Sequence, residues 1–159
     1  MQAAAHVKRL LTLLVGGNPL PNYLTAVALR PDKIVLVHSP QSAQAARDLQ
    51  STLQNALPSQ TQVELLSVPD ASSAEQIGQT VERITKSHSQ GWQILLNYTG
   101  GTKVMAACAV RVFYENGGKS ADASYLDDGG PKGSPRLRFD NGAVHTLRDL
   151  DTPALTLKT

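Results

Sequence analysis

The chain has 159 residues, 41% hydrophobic and 18% charged, with a net charge of +2 at pH 7, which suits one globular domain large enough to bury a core. Aromatic residues, at 4%, are too scarce for a surface that stacks many bases, and the charge is too small for a long basic groove along polymeric nucleic acid. No run approaches the about 20 apolar residues of a membrane span, no signal peptide stands out, and the single cysteine, Cys108, excludes a disulfide framework and fits a reducing cytoplasm.

Taken in order, short apolar runs alternate with helical patterns. Leu11 to Gly16 reads as the first strand, and Pro21 to Leu29 as a short helix. Ile34 to His38 is nearly all apolar, as in a parallel strand covered on both faces. Ser39-Pro40 opens a helix to about Ala56, with the serine as N-cap and the proline at the first helical position. Gln62 to Val68 is the third strand. The next helix runs from Asp70 to about Ser87, with Ile77, Val81 and Ile84 on one side. Trp92 to Asn97 is the fourth strand, and Thr102 to Asn116 the fourth helix, stopped by Gly117-Gly118. Ala121 to Leu126 is the fifth strand. Arg136 to Phe139 and Ala143 to Leu147 form a hairpin around Asp140-Asn141-Gly142. Asp149 to Thr159 reads as a linker or a loosely held end, leaving residues 1–148 as the domain. The alternation predicts a doubly wound, mainly parallel α/β sheet with a C-terminal β-hairpin.

In such sheets ligands sit beyond the carboxyl ends of the strands, where strand order reverses, commonly between the first strand and the one that opens the second half. Here both are followed by glycine-rich turns, Gly16-Gly17-Asn18-Pro19 and Thr99-Gly100-Gly101-Thr102, with His38-Ser39-Pro40 next to them. In the second turn two glycines let the backbone wrap an anion, and the first turn of the following helix offers free N–H groups. Thr99 and Thr102 add hydroxyls and Lys103 a positive charge, a combination that suits a phosphate. A lysine at a helix start opposes the dipole, which calls for something anionic to compensate.

Plainer readings stand beside these. Gly16-Gly17 also suits a simple tight turn, Asn18 a cap for the next helix, Ser39 a plain N-cap and His38 a polar strand end. Cys108, among Met105 to Val110, reads as a buried structural thiol. Gly100 to Lys103 lacks the Walker spacing, no G-x-G-x-x-G follows the first strand, there is no Gly-x-Ser-x-Gly elbow, and the histidines lack metal-ligand spacing. Arg83 and His88, five apart on a peripheral helix, match a ribonuclease spacing by chance, and Asp127-Asp128, a carboxylate pair that also suits a metal, reads rather as a solvated turn because Gly129-Gly130-Pro131 follows.

Three segments carry a resemblance: Leu14-Val15-Gly16-Gly17-Asn18-Pro19-Leu20-Pro21-Asn22, Val37-His38-Ser39 and Asn97-Tyr98-Thr99-Gly100-Gly101-Thr102-Lys103. Together they resemble the CARF sensor domains (CRISPR-associated Rossmann fold) of type III CRISPR effectors, in the branch usually fused to a restriction-nuclease-like domain. The likeness runs from about Leu11 to Leu147. Its Thr-Gly-Gly-Thr-Lys loop is the more specific part and the Gly-Gly-Asn-Pro turn the less specific. It implies a Rossmann-like homodimer that binds one cyclic oligoadenylate, generally cyclic tetra-adenylate, across its two-fold axis. By that resemblance Gly17, Asn18, Pro19, Ser39, Thr99, Gly100, Gly101, Thr102 and Lys103 line the cleft, and Tyr98 and Asn18 are expected to touch adenine. Two copies of the loop would bring two ammonium groups to a ligand with several phosphates. No metal or other cofactor is expected.

The chain departs from the family pattern in its effector. It carries no Asp…Glu-x-Lys nuclease constellation, second domain or membrane helix, so it reads either as a sensor whose effector segment lies elsewhere or as a protein acting alone. The segment Met1 to Arg9 reads as a stub after a removed segment. Three functions remain: a sensor that signals without chemistry, a metal-independent ring nuclease using Lys103, Thr99 and Ser39, or an unrelated nucleotide-binding α/β enzyme. Missing dinucleotide and Walker fingerprints weigh against the third, and the lack of an evident general base favours the sensor.

Overall fold

A computed structural model describes residues 7–88 and 90–147; Met1 to His6 and the proposed tail 149–159 lie outside the described residues. Seven strands form one sheet in the order β3-β2-β1-β4-β5-β6-β7. They are β1 Lys8–Val15, β2 Lys33–His38, β3 Gln62–Ser67, β4 Trp92–Asn97, β5 Ala123–Asp127, β6 Arg136–Phe139 and β7 Val144–Thr146. The first five are parallel, and β6 and β7 add antiparallel to the far edge as the expected hairpin. The α/β, doubly wound reading is therefore correct. Strand order reverses between β1 and β4, the position expected from the sequence.

Side-chain alternation along β1 explains the two layers. Leu11, Leu13 and Val15 point into one cluster with Tyr23 and Leu24 of α1 (Leu20–Leu29) and Leu49 and Leu53 of α2 (Ala43–Ala56). Leu10 and Leu14 point into the other, with Ile77, Val81 and Ile84 of α3 (Ala74–Ser87) and Met105, Val112 and Phe113 of α4 (Lys103–Glu115). A strand buried on both faces favours apolar residues at nearly every position, hence Leu10, Leu11, Leu13, Leu14 and Val15, with the buried Thr12 the one polar residue among them. Cys108 is buried in the α3–α4 layer, as its apolar surroundings imply.

Several boundaries differ from those expected, each for a local reason. The strand β1 begins at Lys8 rather than Leu11 because Lys8 and Arg9 pair with Trp92 and Gln93, and the Arg9 amide donates to Asp32 at 2.8 Å. The helix expected from Ser39 opens instead as a 3-10 turn, Pro40–Ser42, because the Ser39 amide donates to the Ser42 hydroxyl at 3.0 Å and delays the α-geometry to Ala43. The helix expected from Asp70 starts at Ala74, where Ser73 caps it by accepting from the Gln76 amide at 3.2 Å. Asp70 is held in a separate turn by the Ser72 amide and hydroxyl. A 3-10 turn at Ser120–Asp122 moves the start of β5 to Ala123. Among the described residues no helix is long and apolar enough to cross a membrane.

Candidate functional site

The carboxyl ends of β1, β2 and β4 meet at a cleft of about 200 Å³ lined by Gly16, Gly17, Ser39, Ser42, Gly101 and Thr102 among others. The two glycine turns approach each other there. A Cβ on Gly16 would lie 3.1 Å from the Gly101 amide nitrogen, so the β1 and β4 turns touch backbone to backbone. Gly101 has φ of +76°, a left-handed conformation that favours glycine. Gly100 lies against β1, where any Cβ would collide with the Leu14 carbonyl oxygen.

The loop is held by residues that the sequence analysis passed over. Asn97 is fully buried; its amide donates to the Ser124 hydroxyl at 3.1 Å, and its carbonyl oxygen accepts from the Thr99 amide and hydroxyl at 3.2 and 2.7 Å. The Thr99 hydroxyl in turn accepts from the Leu126 amide at 2.6 Å. On the other side, the buried Asn22 donates to the Leu14 carbonyl at 2.9 Å, and its own side-chain oxygen has no partner among the described residues. An amide-bearing residue at the end of an apolar strand was the available signal for Asn97. Ser42, three residues after Ser39, showed only as a capping pattern.

The candidate residues fall into two groups. Gly17, Ser39, Gly101 and Thr102 line the cleft. Thr102 caps α4 by accepting from the Met105 amide at 3.1 Å, and Ser39 exchanges a hydrogen bond with Ser42 at 3.2 Å. Gly100 supports the loop from behind. Asn18 accepts from the Leu20 amide at 3.2 Å, and the buried Pro19 is the N-cap residue of α1. Thr99 braces the loop against β5, and the Tyr98 hydroxyl donates to Asp140 at 2.6 Å, on the hairpin side. Lys103 is exposed at the start of α4, whose first turn has no acidic residue, and no salt bridge among the described residues reaches it. An uncompensated ammonium therefore stands at the positive end of a helix, a local excess that an anion would relieve.

A family model described as the Card1 CARF domain matches residues 10–127, most of the chain. The chain belongs to the Card1 CARF domain family. Solved structures share the fold at low identity. The CARF domain here aligns with Can2 from Sulfobacillus thermosulfidooxidans in complex with cyclic tetra-adenylate at a TM-score of 0.71 and 21% identity, over 89% of this chain and 37% of that one. It aligns with VC1899 from Vibrio cholerae at 0.73 and 12%, over 89% and 36%. With a type III CRISPR defence DNA nuclease activated by cyclic oligoadenylate the values are 0.70 and 17%, over 89% and 21%. The chain thus spans between 21% and 37% of these relatives' lengths. Comparison with curated protein sequences gives no match.

Two clusters flank the outer side of the CARF domain's loop. Tyr98 and Tyr114 both donate to the Asp140 carboxylate, tying loop, α4 and hairpin together. Asp127 is not the solvated turn expected. Its carboxylate accepts from Arg138 Nε at 2.7 Å, Arg136 at 2.8 Å and the Gly129 amide at 2.8 Å, because β6 pairs with β5 and lays both arginines over it. The Arg138, Gly129 and Arg136 contacts hold that carboxyl well below the usual carboxylate range.

Partial burial, followed by the hydrogen bond to Asp140, pushes the Tyr114 hydroxyl up to about 12. The folded chain therefore keeps that proton while an unfolded one releases it near pH ~10. The stabilisation is fully present below about pH 10 and is lost as pH rises through about 12. Urea unfolding across this alkaline range should show stability falling more steeply in the wild type than in Tyr114→Phe. Identical slopes would show that the tyrosine–aspartate contact is not formed.

Proposed function

We propose that this CARF domain senses cyclic oligoadenylate in type III CRISPR antiviral signalling, with cyclic tetra-adenylate as the expected ring. One ring lies across the two-fold axis of a homodimer, and its binding shifts the protomers relative to each other and drives an effector segment outside this chain. The observation that carries the reading is the contact of the β1 and β4 glycine turns at the strand-order reversal, followed by Lys103, which has no salt bridge among the described residues. Family membership and the fold shared with Can2, which was solved in complex with cyclic tetra-adenylate, support it.

The chemistry fits the ligand's charge. Four phosphates meet two copies of an amide-lined bend and two ammonium groups, and charge-assisted contacts of this kind are about twice as strong as neutral ones. The Thr99 and Ser39 hydroxyls already serve internal hydrogen bonds, with Asn97 and Leu126 and with Ser42, so they act first as braces of the cleft. That favours a binding role for the site over cleavage. As a sensor of this kind the domain works in the cytoplasm.

Calorimetry with cyclic tetra-adenylate, followed by chromatography of the mixture, tests the reading. Saturable binding with two protomers per ring and intact ligand is expected. Recovery of linear di-adenylate would instead assign a ring nuclease, and the absence of binding would overturn both readings.

A further inference from the structure

The chain holds four tyrosines, yet three of them, Tyr98, Tyr114 and Tyr125, gather on the outer side of the Thr99–Lys103 loop. Strand register explains the grouping. Asn97 lies beside Ser124, which sets Tyr98 beside Tyr125; Tyr125 stands opposite Arg138, and Asp127 opposite Arg136. These side chains share one face of the sheet near its carboxyl edge. The Tyr98 and Tyr125 rings are 5.8 Å apart and tilted by 40°. Tyr98 and Tyr114 are tied to Asp140, whereas Tyr125, 39% exposed, makes no hydrogen bond through its hydroxyl among the described residues.

The guanidinium donors beside that ring are only partly used. One carboxylate oxygen of Asp127 serves both Arg136 and Arg138, and among the described residues Arg138 is engaged through Nε alone, which leaves its terminal N–H groups as donors. Arg136 Nε is buried with no hydrogen-bond partner among the described residues, and the Arg138 side chain is 36% exposed. An exposed aromatic ring next to a guanidinium with unused terminal N–H groups offers a base a stacking surface and a phosphate a forked donor. The patch is joined to the loop through the Leu126 amide, which donates to the Thr99 hydroxyl and immediately precedes Asp127.

We propose that Tyr125 and Arg138, supported by Arg136, form a nucleotide subsite on the outer side of the loop that stacks one adenine of the ring and contacts an adjoining phosphate. This rests on the proposed function. It extends the contact surface beyond the glycine turns to β5 and β6, which lie past or at the end of the conspicuous sequence motifs.

The test is calorimetry of the full chain with cyclic tetra-adenylate over a range of salt concentrations, for the wild type, Tyr125→Ala, Tyr125→Phe and Arg138→Gln. Tyr125→Ala should weaken binding about tenfold, the scale of one lost base–aromatic stack, and Tyr125→Phe, which keeps the ring, should restore most of it. Arg138→Gln should weaken binding and flatten the salt dependence, as expected when one phosphate contact is lost. Should Arg138→Gln unfold because Asp127 is released, the two exposed-ring variants decide alone. Wild-type affinity in both Tyr125→Ala and Arg138→Gln would overturn the subsite while leaving the sensor reading intact, whereas a wild type that does not bind would remove that reading itself. A Tyr125→Ala protein that becomes monomeric would assign the ring to protein–protein contact and also overturn the subsite.

Discussion

Gly100→Ala is expected to destabilise the domain by about 3 kcal/mol, the upper end of overpacking costs, and to lower Tm by roughly 6–12 °C for a chain of this size. The cause is steric and lies in backbone atoms. The added methyl would land on the Leu14 carbonyl oxygen and press the Asn22 side-chain amide, which approaches to 3.2 Å. Neither neighbour can yield easily, because Leu14 is inside the central strand and Asn22 already donates to that same carbonyl. Gly17→Ala is the control, since its Cβ meets nothing within 4 Å, and its stability should stay within about 0.5 kcal/mol of the wild type. Thermal denaturation of both variants checks the pair. Equal Tm values would mean that the β1 and β4 turns do not meet as described.

Lys103→Ala should separate affinity from stability. Binding of cyclic tetra-adenylate should weaken by about 1.5–3 kcal/mol per site, roughly 10- to 150-fold, the cost of one charge-assisted contact. Folding stability should hold or rise by about 0.3–1 kcal/mol, because the exposed ammonium opposes the α4 dipole and no salt bridge among the described residues offsets it. Calorimetry and urea unfolding on the same preparation measure both quantities. Unchanged affinity would remove this helix start from the ligand site. A loss of stability would show that Lys103 holds a structural partner.

Much of this molecule could be read before folding was considered. The largely apolar runs of β1 and β2 belong to strands covered on both faces, and the spacing of Ile77, Val81 and Ile84 belongs to a helix lying on such a sheet. Because right-handed crossovers leave few arrangements for four such units, the reversal between β1 and β4 and the meeting of their glycine turns followed. The helix starts were read less well. Ser42 and Ser73 form local hydrogen bonds that compete with helical geometry, and a propensity pattern does not show which bond prevails.

Within the site, residue type and residue direction had different sources. The Thr-Gly-Gly-Thr-Lys loop by itself specified a turn suited to an anion, since glycine permits the close backbone approach and a helix start supplies free amides. Only the tertiary structure decided that Thr99 turns toward Leu126, 27 residues away, that Tyr98 turns toward Asp140, 42 residues away, and that Arg136 and Arg138 share Asp127. Those directions depend on strand register between segments far apart in the chain. A one-residue slip would send each side chain to the opposite face, and local sequence carries no record of it.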